Sequence, residues 1–213
     1  MKPMLTAMAL LCLVITSQFN LSAQGFFKGI QIGIGGSNSM KHVPSVSKPD
    51  IHYSPVFSYQ ANVILGFSFY KFGFSIEPGF IQKGYETKFK LNTPNQIIYK
   101  THYDFVQLPI LGQYKFNKKT SLAIGPELYY LLTAWNAENQ QPRNVYTEIF
   151  DRFGLAGVIS VQRDLSDRFN VGLRFGKGLT HFFSTEYSDQ NGEVIGKFNE
   201  STMYLNALFR YSL

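Results

Sequence analysis

Apolar and polar residues alternate along most of the chain after residue 25. In the stretch 121–130, every second residue from Leu122 to Tyr130 is bulky, and Ser, Ala, Gly, Glu and Tyr occupy the positions between them. The same pattern recurs in 72–80, 169–176 and 205–213. A period of two is typical of a β-strand with two unlike faces. We therefore predict strands at approximately 26–37, 55–68, 72–85, 98–116, 120–133, 149–163, 168–182 and 201–213.

The connections between these strands alternate in length. Short links lie at 70–71, 117–119 and 165–167, and long links span 38–54, 86–97, 134–148 and 183–200. Outer-membrane barrels have this alternation, with short periplasmic turns and long extracellular loops, and an even strand number leaves both termini on the periplasmic side. Several predicted strands also reach the roughly 9–11 residues that cross a bilayer.

The two predicted faces differ in a way that favours lipid over water outside the barrel. The more polar face carries small residues and few ions, as at Ser75, Glu77, Gly79 and Gly125, and suits a crowded lumen. Charged residues make up 16% of the chain, against about 25% in soluble domains. Aromatic residues near the strand ends resemble interfacial girdles: Tyr53, Phe57, Tyr85, Tyr99, Tyr103, Trp135, Phe182 and Phe183 at one end, and Phe69, Tyr70, Phe116, Phe169 and Tyr211 at the other. The sequence thus predicts an all-β, eight-stranded antiparallel up-and-down transmembrane β-barrel.

The N-terminal segment has the layout of a secretory signal peptide. Lys2 precedes an apolar run from Met4 to Ile15, which is too short to span a membrane, and a small-residue cleavage site follows at Ala23. We predict a signal peptide over 1–23 and a barrel domain over 24–213, located in the cell outer membrane. Cys12 lies inside the signal segment, so we expect no thiol chemistry in the mature chain.

Four charged residues are predicted to point into the lumen: Glu77, Glu127, Arg174 and Arg210. Buried charges must pair, so we expect a salt-bridged network that fills the interior. The alternative use of these residues is a proton path or a catalytic carboxylate. An eight-stranded interior is just filled by side chains, which argues against an open aqueous pore.

Basic residues near the first two long loops suggest a site for lipid phosphate. These residues are Lys41, Lys48, Lys88, Lys90 and Lys100. Lysine binds phosphate as a point charge, so we expect outer-membrane lipid and lipopolysaccharide as partners at this rim; solvated lysines that serve solubility are the alternative. The formal net charge of +6 does not point to nucleic acid, because the basic residues are not clustered and the protein is exported.

Histidines near the long loops raise the question of catalysis. His102 and His181, together with Ser184 or Glu186, could form the site of an outer-leaflet lipid-modifying enzyme, but no spacing signature supports one. No cofactor or metal pattern is present in the sequence. We therefore expect no enzymatic activity, and we keep the lipid-modifying enzyme and a minor pore as alternatives to a structural or interaction role.

An ordered set of short motifs resembles the PorT-like outer-membrane β-barrel family of the Bacteroidetes. The motifs are 29–33 (GIQIG), 75–84 (SIEPGFIQKG), 106–110 (VQLPI), 123–128 (AIGPEL) and 173–180 (LRFGKGLT). The resemblance implies an outer-membrane location and an eight-stranded barrel. The namesake branch of the family takes part in protein secretion, so envelope or secretion proteins are possible partners, although no motif ties this chain to that branch.

Overall fold

The computed structural model describes residues 25–42, 51–89, 97–138, 141–144, 150–188 and 194–213. The strands that these residues form all pair antiparallel. The strands are β1 (Phe26–His42), β2 (Ile51–Phe69), β3 (Phe72–Ile76), β4 (Gly79–Phe89), β5 (Ile97–Lys115), β6 (Thr120–Glu138), β7 (Gln141–Asn144), β8 (Phe153–Asp164), β9 (Phe169–Gly178), β10 (Phe183–Ser188) and β11 (Val194–Ser212). The described part of the chain contains no helix long and apolar enough to cross a membrane.

The strands close into a ring. β1 pairs with β2 on one side and with β11 on the other, so the first and last strands complete the circle. β3 and β4 together occupy one position in the ring, between β2 and β5. β9 and β10 likewise share one position, because both pair with β11. β7 is a short strand that pairs with the upper part of β6. The ring therefore has eight positions, and the predicted fold class is confirmed.

The two ends of the barrel differ as the link lengths predict. Tight turns join β2 to β3, β5 to β6 and β8 to β9 at what we call the lower end, where the C-terminus also lies. The opposite, upper end carries the long connections. Several strands extend further into those connections than predicted, because their residues keep cross-strand partners there: Lys41 pairs with Glu200, and Tyr99 with Glu138.

The predicted strand 168–182 is interrupted near its upper end. β9 stops at Gly178 because the amides of Leu179 and Thr180 both donate to the carbonyl of Leu155, which bends the chain. β10 then resumes at Phe183. Likewise β8 begins at Phe153 and not at 149.

The predicted strand 72–85 is also interrupted, at Glu77 and Pro78. Proline has no amide hydrogen for the ladder, so the regular pattern breaks between β3 and β4. Neighbouring strands still engage the segment, because Val63 N donates to Pro78 O and Glu77 N donates to Pro109 O, both at 2.9 Å. Side chains consequently keep the same inward and outward alternation on both sides of the break.

Apolar side chains cover the outside of the ring. Ile30, Ile32 and Ile34 are each at least half exposed on β1, and Leu205 and Phe209 are exposed on β11. The lower end carries a band of exposed aromatic side chains, namely Phe67, Phe69, Tyr70, Phe72, Phe74, Phe116 and Phe169.

Three aromatic residues predicted for the upper girdle lie inside the barrel instead. Tyr85, Tyr103 and Phe182 are buried in the lumen. Tyr85 and Tyr103 occupy odd-numbered positions of β4 and β5, as do the buried residues Lys83 and Gln107, so strand alternation turns them inward. Their assignment to the girdle was therefore wrong, because it relied on height along the barrel and ignored the face of the strand.

Candidate functional site: the charged lumen

The lower part of the lumen is organised around Glu77. One carboxylate oxygen accepts a hydrogen bond from Arg174 Nη2 at 2.5 Å, and the other accepts from Arg210 Nη2 at 3.0 Å and Ser75 Oγ at 3.1 Å. Glu77 and Arg174 have no solvent exposure, and the exposed fraction of Arg210 is 8%. Arg210 also donates to Gln31 Oε1. One carboxylate thus holds two guanidiniums from β9 and β11, strands that lie across the lumen from β3.

The middle of the lumen is organised around Glu127 of β6. Lys83 Nζ donates to one carboxylate oxygen at 2.8 Å, and the hydroxyl of Tyr204 donates to the other at 2.5 Å. The same ammonium lies 4.6 Å from the ring centre of Tyr204, 5.0 Å from that of Tyr129 and 5.4 Å from that of Phe105. Lys83 is therefore neutralised by one carboxylate and surrounded by aromatic faces, which is a favourable place for a buried cation.

The upper lumen holds a third carboxylate beneath a cluster of aromatic rings. Glu200 accepts hydrogen bonds from Ser39 Oγ at 2.9 Å and from the hydroxyls of Tyr85 and Tyr103 at 3.4 Å. We call the buried rings around these groups, together with the partly buried ring of Phe150, the aromatic plug: Tyr85, Tyr103, Phe105, Tyr129, Phe150, Phe182 and Tyr204. Among the residues whose side chains the structure describes, the buried charges are Glu77, Glu127 and Glu200 against Lys83, Arg174 and Arg210, so the lumen is neutral in sum.

Phe182 closes the top of the aromatic plug. Its backbone amide donates to Glu200 O at 3.1 Å, and its carbonyl accepts from Asp151 N at 2.8 Å. These two bonds fold the segment after β9 over the mouth of the barrel. The Phe182 ring then meets Tyr103 edge-on, with the ring centres 4.8 Å apart.

Two glycines make room for the tyrosines of the plug. A Cβ atom at Gly176 would collide with the ring of Tyr204, and one at Gly154 would collide with the ring of Tyr129. Each ring therefore lies flat over a neighbouring strand that has no side chain at that point. This contact fixes Tyr204 where its hydroxyl reaches Glu127.

Of the four charges predicted for the lumen network, the structure brings three together and places the fourth in a separate group. Glu77, Arg174 and Arg210 meet, whereas Glu127 pairs with Lys83. Sequence reasoning missed Lys83 and Glu200. Lys83 was recognisable, because it lies six positions after Glu77 on the same alternation; Glu200 was not, because 183–200 was assigned to a loop.

The predicted lysine rim is only partly described. Lys88 and Lys100 both lie beside Glu86, at 3.1 and 3.4 Å. The backbone of Lys41 lies on β1, while its side chain and the whole of Lys48 and Lys90 fall outside the described residues. Glu86 therefore offsets part of the positive charge that the sequence suggested for this rim.

The histidine candidates are dispersed. The ring of His102 stacks on Trp135 with the ring centres 4.2 Å apart, and His181 is exposed. Ser184 Oγ donates to Asn199 Oδ1 at 2.7 Å, and the side chain of Glu186 lies outside the description. Within the described residues, no group of His, Cys, Asp and Glu side chains is arranged to hold a metal ion.

A closed ring of antiparallel strands with an apolar exterior and a polar interior is the architecture of an outer-membrane β-barrel protein. The family model described as "Outer membrane protein beta-barrel domain" matches residues 17–184, and the chain belongs to this family. No curated protein sequence matches the chain.

Several solved barrels are similar to the chain at low identity. OprG from Pseudomonas aeruginosa is 11% identical, with 88% of this chain and 94% of that chain covered and a TM-score of 0.46. Ail of Yersinia pestis is 14% identical, with 88% and 99% covered and a TM-score of 0.44. The protease OmpT from Escherichia coli is 9% identical, with 93% and 100% covered and a TM-score of 0.43. These similarities carry no information about the activity of this chain.

Proposed function

We propose that this chain is a closed outer-membrane barrel with a structural or interaction role, and that it acts neither as an enzyme nor as a pore. The observation that carries the proposal is the pairing of the lumen charges. Glu77 is held by two guanidiniums, and Glu127 by Lys83 and Tyr204. Carboxylates engaged in this way and covered by packed rings are poorly placed to exchange protons with a substrate, or to line a path for solutes.

The proposal includes an orientation. We infer that the lower end, with its tight turns, faces the periplasm and that the upper end faces the cell exterior, because outer-membrane barrels distribute short and long connections in this way. Both termini of the mature chain are then periplasmic. The upper end meets lipopolysaccharide and external partners.

The partners we propose are outer-membrane lipid, lipopolysaccharide and proteins of the envelope or of a secretion system. The ordered motifs resemble PorT-like barrels, whose namesake branch takes part in secretion, and this resemblance supports a link to secretion or envelope integrity. Surface recognition is the form of activity left to a barrel whose interior is occupied by its own side chains.

A deletion and complementation experiment tests this role against both alternatives. Cells that lack the protein should admit a bulky antibiotic faster or secrete less protein, and the wild-type chain should restore them. A His102→Ala/His181→Ala/Ser184→Ala variant should restore them equally, because the proposed role does not use these side chains. Failure of this folded variant would favour the lipid-modifying enzyme. In planar bilayers the purified wild-type protein should show no steady conductance, and stable single-channel currents would support the pore.

A further inference from the structure

Two turns at the lower end of the barrel lie side by side and enclose a basic cleft. The turn at Tyr70 and Lys71 joins β2 to β3, and the turn at 116–119 joins β5 to β6. Because β3 pairs with β5, the turns meet, and Lys115 N donates to Lys71 O at 2.7 Å. The cleft has a volume of about 410 Å³ and is lined by Tyr70, Lys71, Lys115, Asn117 and Lys118. We call it the lower-edge cleft.

The lower-edge cleft concentrates positive charge without an acidic residue in its lining. Three of its lining side chains are lysines, and none of these three forms an ion pair with a described residue within 4.0 Å. Lys115 and Lys118 also line the neighbouring cavity at the lower mouth of the lumen, which Asp164 and Asp167 share. Like charges that share a cleft raise the local positive potential and attract anions. The turn that carries Lys118 is held in place, since Asn117 Oδ1 accepts from the amides of Lys119 and Thr120, both at 2.8 Å. The amide nitrogen of the Asn117 side chain remains as a donor.

Tyr70 is a second feature of this turn that suits the membrane interface. Its φ is +52°, a conformation that favours glycine or asparagine. Two-residue hairpin turns require such a φ, and the side chain is 85% exposed. Its ring lies edge-on to Phe69, with the centres 4.6 Å apart. An exposed tyrosine is expected where an amphipathic ring meets the membrane interface.

The surroundings of the cleft mark the level of that interface. Phe69, Phe72 and Phe116 flank the two turns, and each is more than half exposed on the outer surface. In the membrane these rings meet acyl chains, and the lysines next to them lie at the height of the headgroups.

We propose that the lower-edge cleft binds the phosphodiester headgroup of an anionic glycerophospholipid. The ammoniums of Lys71, Lys115 and Lys118 neutralise the phosphate as point charges, and the Tyr70 hydroxyl and the Asn117 amide donate hydrogen bonds to it. The acyl chains lie against the exposed phenylalanines. A phosphatidylethanolamine carries its own ammonium, which the lysines repel, so the cleft discriminates by charge. This inference uses the proposed orientation of the barrel for one point only, which is that the lipid comes from the periplasmic leaflet.

Native mass spectrometry of the detergent-solubilised barrel tests the site. The probe is phosphatidylglycerol, titrated against phosphatidylethanolamine with the same acyl chains. Phosphatidylglycerol should bind more tightly. A basic residue near an anionic lipid surface contributes about 1 kcal/mol, or roughly fivefold in affinity, so Lys71→Gln/Lys115→Gln/Lys118→Gln should weaken phosphatidylglycerol binding by about a hundredfold.

A matched control separates the cleft from the overall charge of the protein. Arg152→Gln/Arg163→Gln/Lys177→Gln removes the same number of charges from exposed positions outside the two turns and the lining of the cleft. This control should retain lipid as the wild type does. Equal losses in both triple variants, or equal binding of the two lipids, would refute the proposal.

Three further measurements complete the test. Inorganic phosphate in millimolar excess should leave bound phosphatidylglycerol in place, and its displacement would mean that the cleft takes a small anion and not a lipid. Tyr70→Gly should relieve the turn and still lower lipid retention; unchanged retention would contradict the role of the tyrosine.

If the triple variant does not fold, Lys118→Gln alone, on an exposed turn, should show the fivefold loss. These binding results do not depend on the proposed biological role, so either proposal can fail without the other.

Discussion

Replacing Glu77 by Gln should destabilise the barrel by about 3–5 kcal/mol, the usual result of removing one partner from a buried ion pair. Glutamine keeps the shape of the side chain but offers one oxygen instead of two. Arg174 and Arg210 each use a different carboxylate oxygen at present. In the variant one guanidinium faces the amide NH₂ group, and two positive charges remain buried without a counter-charge.

The loss can be measured as the free energy of unfolding in urea from lipid vesicles, followed by the fluorescence of Trp135, the single tryptophan. Glu86→Gln is the matched control: it also removes a carboxylate with two cationic neighbours, but Lys88 and Lys100 are 31% and 49% exposed. Exposed pairs contribute about 0–1 kcal/mol. If Glu77→Gln lowered stability no more than Glu86→Gln does, the lumen network would not hold the barrel together as described.

Three further predictions use the same vesicle system or a gel. Gly176→Ala should cost about 1–3 kcal/mol by displacing the Tyr204 ring, whereas Gly157→Ala, whose Cβ would lie 3.8 Å from Leu179, should be close to neutral. Ile32→Arg should cost about 2–4 kcal/mol, as an arginine on the lipid face near mid-membrane does; a neutral result would indicate an exterior that faces water. The unboiled protein should migrate differently from the boiled protein in a detergent gel, because a closed hydrogen-bonded barrel resists detergent until heated, and identical mobility would count against closure.

The alternation of side chains, together with the alternating link lengths, predicted the ring, and the same alternation explains where the prediction of the girdle failed. Glu77, Arg174 and Arg210 were placed in the lumen because strand parity alone sets the face of a side chain. Tyr85 and Tyr103 were misplaced when their height near a strand end was allowed to outweigh the same rule.

Other features depend on contacts that no local pattern encodes. Phe182 enters the lumen because the carbonyl of Glu200 and the amide of Asp151 hold its backbone across the barrel mouth. The choice of Lys83 as the partner of Glu127 depends on the stagger between strands, which sets heights in a barrel and cannot be obtained from a single strand. The extension of β1 and β11 into the predicted loops depends in the same way on pairing between the two ends of the chain.

The most direct test of the central claim is fluorescence quenching by brominated lipid at single tryptophans placed on either face. In a Trp135→Phe background, Leu205→Trp and Phe209→Trp lie on the exposed face of β11, and Phe105→Trp lies in the fully buried lumen. Brominated acyl chains should quench the two β11 tryptophans strongly and leave the lumen tryptophan almost unchanged. Strong lipid quenching at position 105, or quenching of positions 205 and 209 by aqueous acrylamide but not by lipid, would contradict a membrane-spanning barrel closed by its own side chains.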